Sequence, residues 1–197
     1  IIFTKDVKES GKDLKEPMDK INIDPQCIED TKLFYRKFIP GYQADTQERI
    51  FPDIAILKHL IRKYQIKSIL EIGTWRGYMG LAMWLEPFVE KFATMDIRMD
   101  FQGGGNLYHN NLAFERYGEY LHRCPVRFIV ADSQVYTPKP EDECDMVFID
   151  GNHDYIPVVS DYYLATHMAT KIIAFHDLEN QNPGVDAAVA KLKLPII

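Results

Sequence analysis

The chain has 197 residues, 46% hydrophobic and 26% charged, the balance of one globular domain with at most an appendage. That composition excludes a mainly disordered chain, and no apolar run approaches the ~18 residues that span a bilayer. The 23 Lys and Arg against 29 Asp and Glu give a net charge of −6, which argues against broad binding to nucleic acid or to anionic membranes.

Cys27, Cys124 and Cys144 are odd in number and lack CxxC spacing. They predict neither a disulfide framework nor a zinc site, but reduced thiols in a cytoplasmic setting. No signal peptide is visible at Ile1-Ile2-Phe3, which runs at once into charged residues. The missing initial Met and the apolar close Leu194-Pro195-Ile196-Ile197 suggest that both ends are cut.

Residues 1–24 are dense in charge and predict a solvated arm or a loosely attached helix. Leu33-Phe34-Tyr35-Arg36-Lys37-Phe38 predicts a short helix ended before Pro40-Gly41, and Ile54, Leu57, Leu60 and Ile61 recur at helical spacing to about Lys63. From there strands and helices alternate. Strands are expected at 68–72, 92–96, 126–130, 145–149 and 172–175, with helices at about 78–87, 111–123, 158–168 and 184–192. This order predicts an α/β domain with a Rossmann-like, doubly wound and mainly parallel sheet built from right-handed βαβ units. The expected division is an N-terminal charged arm and helical lid over 1–50 and a ligand-binding domain over 51–197.

Each apolar strand runs into polar or glycine residues at its carboxyl end: Glu71-Ile72-Gly73, Asp96, Asp132-Ser133, Asp150-Gly151-Asn152-His153 and His176-Asp177. Any one Asp could be a helix cap, but five such ends converge on the rim where open α/β sheets bind ligands. The first loop reads Gly73-Thr74-Trp75-Arg76-Gly77, with Trp75 where a dinucleotide fingerprint needs glycine, and it lacks the Gly-Lys-Ser/Thr of a P-loop. Asp96 follows Gly73 by 23 residues, where a carboxylate accepts ribose hydroxyls. A nucleoside without a pyrophosphate cradle fits S-adenosylmethionine better than NAD or ATP.

Residues 69–80 resemble motif I of the class I S-adenosylmethionine-dependent methyltransferases, most closely the metal-dependent O-methyltransferases of the catechol and caffeoyl-CoA kind. Val147-Phe148-Ile149-Asp150-Gly151-Asn152-His153-Asp154-Tyr155 resembles the metal-binding segment of that group, and more closely its sugar- and antibiotic-tailoring branch. Ala174-Phe175-His176-Asp177, followed by Pro183-Gly184-Val185, is similar to the same branch's next motif.

The resemblance implies that Gly73 and Gly77 line the methionine part of the cofactor with Glu71 near its amino group, and that Thr74 and Trp75 also bind the cofactor. It implies Asp96 at the ribose, Asp132 and Ser133 at the adenine, and Arg98 or Trp75 stacked beside the adenine. Asp150 would lie next to the sulfonium and bind a divalent metal (Mg²⁺, Mn²⁺ or Ca²⁺) with His176 and Asp177. His153 falls where catechol-type enzymes carry a lysine base, so Asp150 and His153 are the expected catalytic residues. His176 departs from the acidic residue usual at its position. The expected reaction is O-methylation of a small molecule, a sugar or phenol. A homo-oligomer stays open, and no nucleic-acid or membrane partner is expected.

Two other classes compete. His153, His176 and one aspartate could form a facial triad for non-haem iron. The charged arm and the Phe34, Tyr35 and Phe38 group could instead serve a non-catalytic, cofactor-binding scaffold. Gly103-Gly104-Gly105 reads as a polar surface loop, and His109, Asn110 and Asn111 as candidates for the substrate side. The C-terminal strands of the class I fold look shortened, since few residues follow Asp177.

Overall fold

The computed structural model describes residues 2–5, 22–38, 51–75, 77–97, 123–178 and 182–194. Among the described residues six strands form one sheet: β1 (Ile2–Lys5), β2 (Ser68–Ile72), β3 (Lys91–Asp96), β4 (Val126–Val130), β5 (Cys144–Ile149) and β6 (Ala169–Phe175). Their order is β1-β6-β5-β2-β3-β4, with every pair parallel except β1 against β6. The chain winds outward from β2 through β3 to β4, then returns to β5 and β6 on the other side. The topological switch therefore falls between β2 and β5, where such sheets bind ligands.

Strand alternation divides the core into two layers. On one face Ile69, Phe92, Met146, Phe148, Ile172 and Ala174 pack under helices α1 (Pro25–Phe38), α2 (Phe51–Lys63) and α3 (Tyr78–Trp84). On the other, Leu70, Ile72, Ala93, Val147, Ile149, Ile173 and Phe175 pack under α4 (Tyr155–Met168) and α5 (Pro183–Leu192). Helix α1 buries Cys27, Thr31, Phe34, Tyr35 and Phe38, one stripe at helical spacing. An ion network ties it to the domain: Glu86 pairs with Lys58 at 2.6 Å and with Arg62 at 2.7 Å, and Arg62 also holds Asp30 at 2.5 Å.

Several elements differ from the sequence expectation. Residues 2–5 form an edge strand instead of a solvated arm or helix, with Ile2 opposite Phe175 and Lys5 opposite Ile172. Helix α3 stops at Trp84 rather than near residue 87, because Pro87 disfavours helical geometry at Glu86. Glu86 then turns inward to meet Lys58 and Arg62. Helix α4 starts three residues early, since Pro157 fits a first turn. Strand β6 begins at Ala169, earlier than the expected 172. The helix expected over 111–123 lies, up to residue 122, outside the described residues, as do Arg98, Gly103-Gly104-Gly105, His109, Asn110 and Asn111.

Candidate active site

The ladder carries the rim residues to one level. Gly73 N–H donates to the Met95 carbonyl, Asp150 N–H to Ile72, and His176 N–H to Ile149, at 2.8, 2.8 and 3.0 Å. Gly73 has φ +97°, and a Cβ there would lie 2.1 Å from the Asp150 carbonyl oxygen and 2.7 Å from the Gly151 nitrogen. Only glycine allows the β2 and β5 loops to cross this closely. Gly77 (φ 69°) opens α3 in the left-handed region, while Trp75 stands 61% exposed on the loop between the glycines.

Asp96 closes that loop by accepting the N–H groups of Thr74 at 2.9 Å and Trp75 at 3.2 Å on one carboxylate oxygen. Beneath it Glu71 is buried, accepting the Thr94 hydroxyl at 2.6 Å, and Thr94 in turn meets Thr74 at 2.6 Å. Burial lifts the Glu71 pKa well above the usual carboxylate range; the Thr94 bond opposes this, and the charges of Asp150 and Asp96 add to it.

At the end of β4, Asp132 accepts the backbone N–H of Gln134 at 2.9 Å in an Asx turn. Gln134 Nε2 donates to Asp161 of α4 at 3.0 Å, and Ser133 also bonds Asp161. Asp161 is 1% exposed, and burial raises its pKa to about 6 despite the Ser133 and Gln134 bonds, with the Asp132 charge adding to the rise.

Beside the crossing lies a cluster of two carboxylates and two imidazoles. His176 Nδ1 is 3.0 Å from Asp150 Oδ1 and 3.0 Å from Asp177 Oδ1; its Nε2 is 3.4 Å from Oδ2 of Asp53, in the first turn of α2. His153 Nε2 lies 3.2 Å from Asp177 and 3.6 Å from Asp150. Asp150, His153 and Asp177 offer atoms all within 4.8 Å of one another, a spacing that can hold a metal ion.

Asp177 adopts φ 57°, which Asp tolerates, and Asn182 fixes its Oδ2 at 2.8 Å. The start of α5 presses on the His153 loop, where a Cβ on Gly184 would lie 2.3 Å from the His153 carbonyl oxygen. Burial opposes charge on His176, yet contacts with Asp150, Asp177 and Asp53 push its pKa up to about 12. Contact with Asp150 likewise raises His153, against burial, and His176 lowers Asp177. Despite these distances, neither His176 Nδ1 nor His153 Nε2 is aligned for a hydrogen bond, although both atoms are buried.

The structure therefore brings together Asp150, His153, His176 and Asp177, sets Gly73 and Thr74 against Asp150 and Asp96, and places Asp132 and Ser133 on the β4 side. Glu71 is buried beneath the loop rather than open at it, and Arg98 is outside the described residues. Sequence reasoning missed Asp53, Thr94, Asn182 and Asp161.

The methyltransferase-domain family matches residues 70–178, more than half of the chain. The chain belongs to this methyltransferase family. Its fold is that of solved class I enzymes. The tomaymycin-synthesis O-methyltransferase TomG of Streptomyces achromogenes, in complex with SAM, is 18% identical with a TM-score of 0.53, over 86% of this chain and 78% of that one. A Staphylococcus aureus protein described as a caffeoyl-CoA O-methyltransferase is 16% identical with a TM-score of 0.52, over 84% and 81%. The SAH-bound methyltransferase PaMTH1 of Podospora anserina is 17% identical with a TM-score of 0.50, over 86% and 80%. At these identities the likeness establishes the fold. No curated protein matches the chain. The family match sets aside the iron-hydroxylase reading of this methyltransferase, and no helix among its described residues is long and apolar enough to cross a membrane.

Proposed function

We propose that this methyltransferase moves the methyl group of S-adenosylmethionine to a hydroxyl oxygen of a small molecule, a sugar or phenol. The observation that carries the reading is the crossing of the Gly73 and Asp150 loops at the topological switch. There Asp96 and Asp150 bring two carboxylates to the rim above buried Glu71, a setting suited to a ligand bearing a sulfonium and an ammonium. The named neighbours TomG and the caffeoyl-CoA enzyme support oxygen as the acceptor and a small molecule as the substrate. The three free cysteines suit a reducing, cytoplasmic setting.

In this reading Asp96 holds the ribose hydroxyls while its other contacts keep the Thr74-Trp75 loop in place. Asp132 and Ser133 receive the adenine. The acceptor hydroxyl lies against the cluster, and His153 Nε2 takes its proton as the oxygen forms a bond to the methyl carbon and the methyl–sulfur bond breaks. The sulfur leaves with that electron pair as a neutral thioether. His153 is the more exposed of the two imidazoles, 37% against 21%, and its buried Nε2 faces Asp150 and Asp177 at the cluster.

The two carboxylates and the unaligned, buried His176 Nδ1 fit a divalent ion, which Asp150, Asp177 and His176 would hold. When bound, such an ion supplies a Lewis acid that lowers a hydroxyl pKa. Transfer of labelled methyl from S-adenosylmethionine to a panel of phenols and sugars tests the reading. Product is expected with at least one hydroxyl acceptor, and methylation confined to nitrogen or carbon acceptors contradicts it.

A further inference from the structure

We propose that Asp53 is a positioning residue that turns His176 into a nitrogen ligand, so that the site takes a first-row transition ion such as Co²⁺ or Mn²⁺ in preference to Mg²⁺ or Ca²⁺. The inference rests on the metal-assisted reading above.

Two observations and one principle lead to it. Asp53 stands 3.4 Å from His176 Nε2, on a helix that precedes the whole cofactor-binding half of the chain. A carboxylate at one imidazole nitrogen fixes the tautomer and ring orientation and leaves the other nitrogen basic. That other nitrogen, Nδ1, is buried, lies 3.0 Å from both Asp150 and Asp177, and has no aligned hydrogen bond. Two carboxylate oxygens and an imidazole nitrogen that converge without hydrogen-bond alignment form a donor set that a cation can take by displacing the ring proton.

Donor chemistry then selects the ion. Mg²⁺ and Ca²⁺ are hard and favour all-oxygen shells, whereas imidazole suits the later first-row ions. His153 also offers an atom within 4.8 Å of ligand atoms of Asp150 and Asp177, but it is left to the acceptor rather than to the ion. Its Nε2 is farther from the carboxylates, at 3.2 and 3.6 Å, and its ring is more exposed. It remains beside the ion's position, where a base serves an acceptor.

The test titrates the intact, chelator-stripped chain with Co²⁺, Mn²⁺, Mg²⁺ and Ca²⁺ by calorimetry and follows Co²⁺ by its visible absorption, with no methyl donor or acceptor. One Co²⁺ per chain is expected, bound at least about tenfold tighter than Mg²⁺ or Ca²⁺. Asp53→Asn should weaken Co²⁺ about 10- to 100-fold and shift the absorption, with Asp53→Glu recovering part of the loss. His176→Ala should remove the signal, and His153→Ala should leave the affinity within about threefold.

Equal affinity for Mg²⁺ and Co²⁺, unchanged binding in Asp53→Asn, or the absence of any bound ion overturns the proposal. Should Asp53→Asn fail to fold, the ion preference of the unmodified chain and the Asp53→Glu variant still decide it. S-adenosylhomocysteine binding, measured on the same sample, separates the two readings. Cofactor binding without a metal overturns this inference alone, and metal binding without cofactor overturns the methyl-donor reading alone.

Discussion

Gly73 and Asp150 touch backbone to backbone: a single methyl group on Gly73 would overlap the Asp150 carbonyl, at 2.1 Å. The contact joins the first loop of the cofactor half to the residue that begins the acceptor cluster, so one displacement disturbs both.

Gly73→Ala must move one of two backbones and also hold alanine at φ +97°, a region that L side chains rarely adopt. S-adenosylhomocysteine affinity should fall at least about tenfold, measured by calorimetry on protein whose circular dichroism shows it folded. Affinity within threefold of the parent would mean that the crossing does not shape the cofactor site.

His153→Ala removes the proposed base and leaves the glycine loop and Asp96 intact. Turnover should drop about 10²- to 10⁴-fold, with S-adenosylhomocysteine affinity nearly unchanged. Equal losses in both quantities would assign His153 to cofactor binding instead.

Asp161 predicts a pH dependence of stability. Its folded pKa is raised from the ordinary 3.8 to about 6, so the folded state holds this proton more tightly than the unfolded chain does. Its contribution is fully present below about pH 4 and is lost as pH rises through about 6. A shift of this size corresponds to about 3 kcal/mol. The stability of the parent relative to Asp161→Asn should therefore fall by about that amount between pH 4 and pH 7. Denaturant unfolding at several pH values reads this directly, and a pH-independent difference would contradict it.

Glu86 is 1% exposed and holds both Lys58 and Arg62, so Glu86→Ala strands a buried lysine. Breaking such a pair on one side costs about 3 kcal/mol or more, or roughly 6–12 °C in melting temperature for a chain of this size. A loss under about 1 kcal/mol would show that the network does not anchor α1 and α2.

Apolar runs made the five parallel strands legible in the sequence, because β2, β3, β5 and β6 are buried on both faces and leave no polar alternation to confuse the reading. The rim acids were legible for the same reason, as the first polar residues after each run. Strand β1 was not legible. Four residues beside a dense run of charge carry no periodic signal, and their strand character comes from pairing with β6. Asp53 and Asp161 were missed because each is one of several polar residues in a helix whose pattern marks only its apolar face. Their partners, His176 and Gln134, come from other elements through the topology. Thr94 meets Glu71 and Thr74 only once β2 and β3 are in register.

Calorimetry with S-adenosylhomocysteine on the parent chain and on Asp96→Ala tests the central claim most directly. The account predicts one molecule bound per chain and an affinity at least about tenfold weaker in Asp96→Ala, through the lost ribose contact. Binding of NAD in place of S-adenosylhomocysteine, or equal affinity in the two proteins, would contradict it.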